Sequence, residues 1–310
     1  MQDVKAESSW RPVALKVARG IRRRVLEHTI SNNGGYLSQA CSSAEILATL
    51  YTRVMNLGPS EAPLVPPPFP GVPALNNPHS FTGAGYNGPK GPQWDRFFFS
   101  PVHYALVLYS LLIEVGRLGE DGLGQFNKDG STVELIGAEH SPGHEVTAGS
   151  LAQCISQAGG VALARRIRRE PGKVWVFLSD GEFQEGQTWE AINALRYHGL
   201  DNVGIYVDAN GQQCDGKMEE VGLIEPLSER LRAFGAVVRE VPGHDLDALA
   251  NAGLEPWTGG PLVVVARTNP CNGLDLLDER APKLHYVRFK STEETDRYRK
   301  ALDELKKGGE

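Results

Sequence analysis

VWVFLSDGEFQEG (174–186) and, soon after it, VGIYVDANGQQCDG (203–216) form the stretch whose reading decides the fold. The apolar runs 174–178 and 203–207 have the length, and the β-branched and aromatic content, of strands covered on both faces. Residues 188–198 between them carry helical spacing, so the stretch predicts a βαβ unit with parallel strands. In such units ligands bind outside the carboxyl ends of the strands, which sends Asp180 and Asn210 toward one crevice. A carboxylate and a carboxamide are oxygen donors of the kind magnesium or calcium takes, and magnesium in particular combines one or two protein ligands with substrate phosphates.

Working outward, helices are expected over 14–27, 43–55, 105–118, 151–169, 226–234 and 246–252, and further strands over 236–241 and 262–266. Strands alternating with helices mean an α/β fold, a mostly parallel sheet with helices on both faces. Residues 58–93 are too rich in proline and glycine for a helix or a central strand, and a loop this long inside a compact domain is functional or disordered. The expected division is one domain over 1–290 with 58–93 as an insertion, followed by a charged helix or tail over 291–310.

Composition removes several function classes. The net charge of −6 argues against a general nucleic-acid binder. The arginine clusters Arg22, Arg23, Arg24 and Arg165, Arg166, Arg168, Arg169 read as solvated helix faces or subunit contacts. No apolar run is long enough to span a bilayer and the N-terminus lacks a signal-peptide pattern, so the expected location is cytoplasmic, with no membrane partner. The four cysteines, Cys41, Cys154, Cys214 and Cys271, contain no C-x-x-C pair and read as reduced structural thiols. GAGYNG (83–88) fits G-x-G-x-x-G in letters only, since no strand precedes it and Pro89 and Pro92 follow where a helix would start. Residues 208–219 imitate a calcium loop but have Gln213 at the position that needs glycine.

Several ordered motifs resemble the thiamine diphosphate-dependent transketolases. SDG (179–181) and DANGQ (208–212) resemble the opening and close of the family's diphosphate and metal motif, which lie about thirty residues apart. DRFFFSPVHYALVLYSLL (95–112) is similar to its strand and histidine-containing helix start, HSPGHEVTAGSLAQ (140–153) to its H-T-P-G-V-E-V-T-T-G-P-L-G-Q loop, and DGEFQEGQTWEA (180–191) to D-G-x-x-x-E-G-x-x-W-E-A. The resemblance runs over roughly residues 11–285.

It implies thiamine diphosphate as cofactor with Mg2+ or Ca2+, the metal held by Asp180, Asn210 and the backbone carbonyl of Gln212. Gly181 and Glu182, at a helix start, would face the diphosphate, and Gly149, Ser150 and Leu151 the pyrimidine. His103 and His140 would meet cofactor or sugar, and His285 would lie near the reacting carbon. Glu185 would reach across a subunit interface, its other reading being a helix cap. His144 is expected at the surface. Tyr36 stands where the family's G-H-P-G motif has a donor-contacting histidine, and tyrosine does not titrate near neutrality. The family's catalytic glutamate lies on a second, pyrimidine-binding domain of similar fold, for which residues 267–310 leave no room. The resemblance therefore implies the N-terminal subunit of a split transketolase, an α2β2 assembly with a separate C-terminal subunit, moving ketol units between sugars or sugar phosphates. The alternatives are the α subunit of a thiamine-dependent 2-oxo acid dehydrogenase and a non-catalytic scaffold subunit.

Overall fold

The computed structural model describes residues 10–72, 74–77, 80 and 82–307. Outside it lie the N-terminal nine residues, the last three of the expected tail, and residues 73, 78, 79 and 81 of the proline-rich segment.

Two helices open the chain, α1 (Trp10–Asn32) and α2 (Leu37–Thr49), and α2 runs on into a π-helical turn, Leu50–Val54. After the proline-rich segment come strand β1 (Arg96–Phe99) and helix α3 (Ala105–Glu114). Then follow α4 (Gln153–Ile167), β2 (Val174–Ser179), α5 (Gly186–Tyr197) and β3 (Val203–Ala209). A small antiparallel hairpin, β4 (Gln212–Gln213) and β5 (Gly216–Lys217), leads to α6 (Met218–Val221) and α7 (Leu227–Ala233). The chain closes with β6 (Val237–Pro242), α8 (Leu246–Leu254), β7 (Leu262–Arg267) and α9 (Thr292–Lys307).

The main sheet has the order β1-β2-β3-β7-β6 with every pair parallel. Side chains alternate across it as the pleat requires. Phe97, Phe99, Trp175, Phe177, Tyr206 and Val264 face a core shared with α1, α2, α3, α8 and α9. Phe98, Val176, Leu178, Ile205, Val207 and Val265 face a second core under α4, α5 and α7. Both faces are covered, which is why the strands read as continuous apolar runs. No helix among the described residues is long and apolar enough to cross a membrane.

Helix boundaries depart from the expected ones where tertiary burial overrides local pattern. Helix α2 begins at Leu37, well before residue 43, and all its residues are buried, so it shows no polar face to mark a start. Helix α4 begins at Gln153 because Ala152 takes a left-handed conformation, φ 68°. Helix α3 stops at Glu114, and Gly116 follows with φ 71°. The arginine clusters are also less solvated than expected. Arg22 is buried against the Glu45 carboxylate, and Arg165 is buried with Nη2 donating to the carbonyls of Pro92 and Trp94, both at 2.8 Å. All four cysteines are free, but Cys214 is exposed, unlike the other three.

Trp175 shows how tightly the sheet is built. Its indole N–H donates to Asp95 Oδ2 at 2.9 Å, and its ring lies over Gly204 of β3, where an added Cβ would sit 2.3 Å from the ring. Gly204→Ala is expected to lower the stability by about 1–3 kcal/mol through overpacking. Urea unfolding would read this as a lower midpoint, and an unchanged midpoint would mean that the indole moves aside at little cost.

His144 is not at the surface but 1% exposed, with its ring against Phe99 and Tyr109. Burial pushes its pKa down to about 4, with Nδ1 near the Pro142 carbonyl and Nε2 without a partner. The folded chain thus holds this imidazole neutral where the unfolded chain would protonate it. The contribution is complete above pH ~6.5 and is lost as pH falls toward 4, about 2 kcal/mol between pH 7 and 5. Denaturation of the wild type and His144→Phe at both pH values should show a shallower acid slope in the variant; parallel slopes would contradict it.

Candidate functional site

The carboxyl ends of β1, β2 and β3 open onto a crevice of about 330 Å³. The register pairs Ser179 with Asp208, so Asp180 and Asn210 both emerge just past adjoining strand ends and line the same space. The Asp180 Oδ2 accepts the Gly211 N–H at 2.8 Å, and Asn210 Oδ1 accepts the Gln212 N–H at 2.9 Å. Gly211, at φ 68°, makes the turn that folds this loop back over the aspartate.

Two buried carboxyl groups crowd the floor. Asp180 is 3% exposed, and Asp208, fully buried, lies behind it. Burial first and the Asp208 charge second push the Asp180 pKa up to about 8, against the opposing pull of the Gly211 and Gly181 N–H groups. Among the described residues no lysine or arginine lines the crevice, and the Gln212 Oε1 is buried without a hydrogen-bond partner.

Asp208 organises the neighbourhood. Its carboxylate accepts from Ser42 Oγ at 2.6 Å, Thr268 Oγ1 at 2.6 Å, Tyr104 OH at 3.2 Å and Asn210 Nδ2 at 3.1 Å. With the amide nitrogen so committed, Asn210 Oδ1 is fixed on the side of Gln212. None of Ser42, Tyr104 or Asp208 stood out in the sequence as a site residue. Asp208 had a signal, an acid inside an otherwise apolar strand. Ser42 had none, because α2 was expected to start beyond it.

The expected helix start at Gly181 and Glu182 is a five-residue 3-10 turn, Asp180–Gln184, and the α-helix begins only at Gly186. A capping box closes the turn, and the Glu182 side chain belongs to it and not to the crevice. That carboxylate is fully buried and accepts from the Ser179 N–H at 2.9 Å, the Ala152 N–H at 3.1 Å and the Ser100 hydroxyl. One side chain thus ties together the end of β2, the loop before α4 and the segment after β1.

Gly181, Gly149 and Leu151 line the crevice, whereas Ser150 is exposed outside the lining. Glu185 lines the mouth; it occupies the N-cap position of α5 but makes no side-chain cap bond there. His103 and His285 face each other across the wall with ring centroids 5.1 Å apart. Burial lowers both imidazole pKa values, that of His103 to about 3, so both are neutral at pH 7. Tyr36 packs edge-on against His285 at 5.3 Å and against Tyr286 at 4.9 Å. His140 is not among the lining side chains. Its Nε2 lies 2.9 Å from Glu134 Oε2, and Phe69 of the proline-rich segment covers its ring at 4.7 Å.

The family description "Transketolase, thiamine diphosphate binding domain" matches residues 79–258. A transketolase family protein of Sinorhizobium fredii, itself uncharacterized, is 31% identical over 283 residues, 89% of this chain and 90% of that protein. One of the subunits of the apulose-4-phosphate transketolase of Actinobacillus succinogenes is 30% identical over 295 residues, 94% of this chain and 95% of that one. The crystal structure of transketolase from Campylobacter jejuni superposes with a TM-score of 0.69 at 20% identity, a likeness of fold. It covers 96% of this chain but 47% of that protein, so the chain spans about half the length of the solved enzyme.

Proposed function

The chain belongs to the transketolase family, and from that premise we propose that it is the diphosphate-binding subunit of a two-subunit transketolase, which transfers a two-carbon ketol unit from a ketose to an aldose. The observation that carries the proposal is the oxygen-donor floor of Asp180, Asn210 and Gln212 at adjoining strand ends, acidic and without a cationic side chain among the described residues.

The residues fit a divalent cation carrying a diphosphate. Two buried carboxyl groups, Asp180 and Asp208, lie together without a neighbouring counter-charge in the crevice lining, and beside the Gln212 backbone carbonyl its side-chain Oε1 is buried without a partner. The donors are all oxygens, as magnesium or calcium requires. No group of three or more His, Cys, Asp or Glu side chains suited to a metal occurs among the described residues, so the amide of Asn210 and the carbonyl of Gln212 would complete the set. Gly181 leaves room for a phosphate, since a Cβ built there meets nothing within 4 Å.

When bound, thiamine diphosphate supplies a nucleophilic carbon that attacks a carbonyl and stabilises the negative charge left by carbon–carbon cleavage. This chain's part is to hold and orient. Asp180, Asn210 and the backbone carbonyl of Gln212 would hold the metal, and Gly149 and Leu151, which line the same crevice, would face the pyrimidine. His103 and His285, both neutral, offer hydrogen bonds to sugar oxygens rather than charge. Glu185, exposed at the mouth, is placed to meet a second subunit that brings the proton-transferring glutamate. The relative named as one subunit of an apulose-4-phosphate transketolase supports both the partner and a phosphorylated sugar. With no cationic side chain in this lining, the partner would bind the phosphate end.

The test is calorimetric titration of the chain with thiamine diphosphate in magnesium and in EDTA. Binding that EDTA abolishes is expected. Equal binding in both would remove the metal from the account.

A further inference from the structure

We propose that Gln39 is a positioning residue that fixes His285 as its Nε2–H tautomer, so that this imidazole presents the crevice with a hydrogen-bond donor and not a base. The proposal rests on the function above only for the identity of the oxygen that receives the bond.

Gln39 lies on α2 and is 2% exposed. Its amide nitrogen is 3.1 Å from His285 Nδ1 and 3.1 Å from the His285 backbone carbonyl oxygen. That carbonyl can only accept, so the end of the amide facing His285 is the NH2 group. From the other side Ser38 Oγ lies 3.0 Å from Gln39 Oε1, where the hydroxyl donates to it, in keeping with that orientation. An NH2 group has two hydrogens, and here each has an acceptor on one residue. Nδ1 must then present its lone pair, and the proton of the neutral ring sits on Nε2.

The ring cannot readily turn over to exchange its nitrogens. Tyr36 stands edge-on to it at 5.3 Å and His103 lies 5.1 Å away. Burial keeps the imidazole neutral, although Asp215 pulls weakly the other way. Nε2 makes no hydrogen bond to the described residues, which leaves its N–H for a ligand in the crevice that His285 lines. A carbonyl or hydroxyl oxygen can accept that bond, whereas a group that must give up its proton cannot.

The experiment is a long-range 1H–15N correlation of the full chain labelled at histidine, at pH 7.5, with His285 assigned by its loss in His285→Gln. The expected wild-type pattern is a neutral Nε2–H imidazole. Gln39→Glu replaces the donor with an acceptor and should draw the proton to Nδ1, and Gln39→Leu should give a mixture of tautomers. An Nδ1–H or doubly protonated ring in the wild type overturns the proposal, as does an unchanged pattern in both variants. Should Gln39→Glu fail to fold, the wild-type spectrum and Gln39→Leu still decide. In the enzyme assembled with its partner subunit, Gln39→Leu should raise the KM for the ketose about tenfold, the worth of one well-placed hydrogen bond, with thiamine diphosphate affinity unchanged. An unchanged KM would refute the role in sugar recognition. Absence of ketol transfer in the assembled wild type would instead refute the proposed function and leave the tautomer standing.

Discussion

Asp180→Ala is expected to weaken thiamine diphosphate binding in magnesium about a hundredfold or more, while the unliganded chain stays as stable as the wild type or becomes more so. The two halves of this expectation have one cause. Asp180 is 3% exposed beside a second buried carboxylate, and burial with that neighbour pushes its pKa up to about 8, so the empty fold holds it protonated at pH 7. A carboxyl that is ionised in the unfolded chain and must take up a proton to be buried costs the empty fold stability, so its removal relieves that cost. With a divalent ion in place the same carboxylate becomes the principal anionic ligand. Truncating one member of a buried charge pair costs roughly 2–5 kcal/mol, and about 3 kcal/mol corresponds to a hundredfold in affinity. Calorimetry and thermal unfolding of wild type and variant check both halves. A variant that binds normally removes Asp180 from the metal site, and one that loses binding only because it unfolds removes the electrostatic argument.

Glu182→Ala is expected to cost on the order of 4 kcal/mol of stability, because it leaves buried donors without an acceptor at roughly 1–3 kcal/mol each, less for hydroxyls that can turn away. The donors are the Ser179 N–H, the Ala152 N–H, the Ser100 hydroxyl and, longer at 3.4 Å, the Ser179 hydroxyl. Glu182→Gln should cost about half as much, since one oxygen remains and the new amide N–H turns toward a donor. The three tethered segments carry Asp180, Leu151 and His103, so residual folded variant should also bind cofactor poorly. Urea denaturation decides: a loss under about 1 kcal/mol for the alanine variant would show that water or a rearranged hydroxyl satisfies the site.

The residues of the floor were legible because their positions depend on strand ends. Strands 174–178 and 203–207 are buried on both faces and so stand out as apolar runs, and whatever follows them must lie at the sheet's carboxyl edge. The walls were less legible. Helix α2 is buried all round, which erases the periodicity that would have shown its start and, with it, that Gln39 and Ser42 face the site. Ala152 adopts a left-handed φ that alanine disfavours, so nothing local signalled that α4 starts after it. His144 sits among small and polar residues that look like a surface loop, and it is buried against the distant Phe99 and Tyr109 and against Gly137. Glu182 looked like a phosphate-facing helix start because its three partners come from separate parts of the chain.

The central claim is that this chain supplies half of an active site. Ketol transfer from a ketose to an aldose should be measured with the purified chain by itself, with the proposed pyrimidine-domain partner by itself and with the two together, each with thiamine diphosphate and magnesium. The account predicts transfer in the mixture only. Turnover by the chain without its partner, at the rate of the mixture, would contradict it.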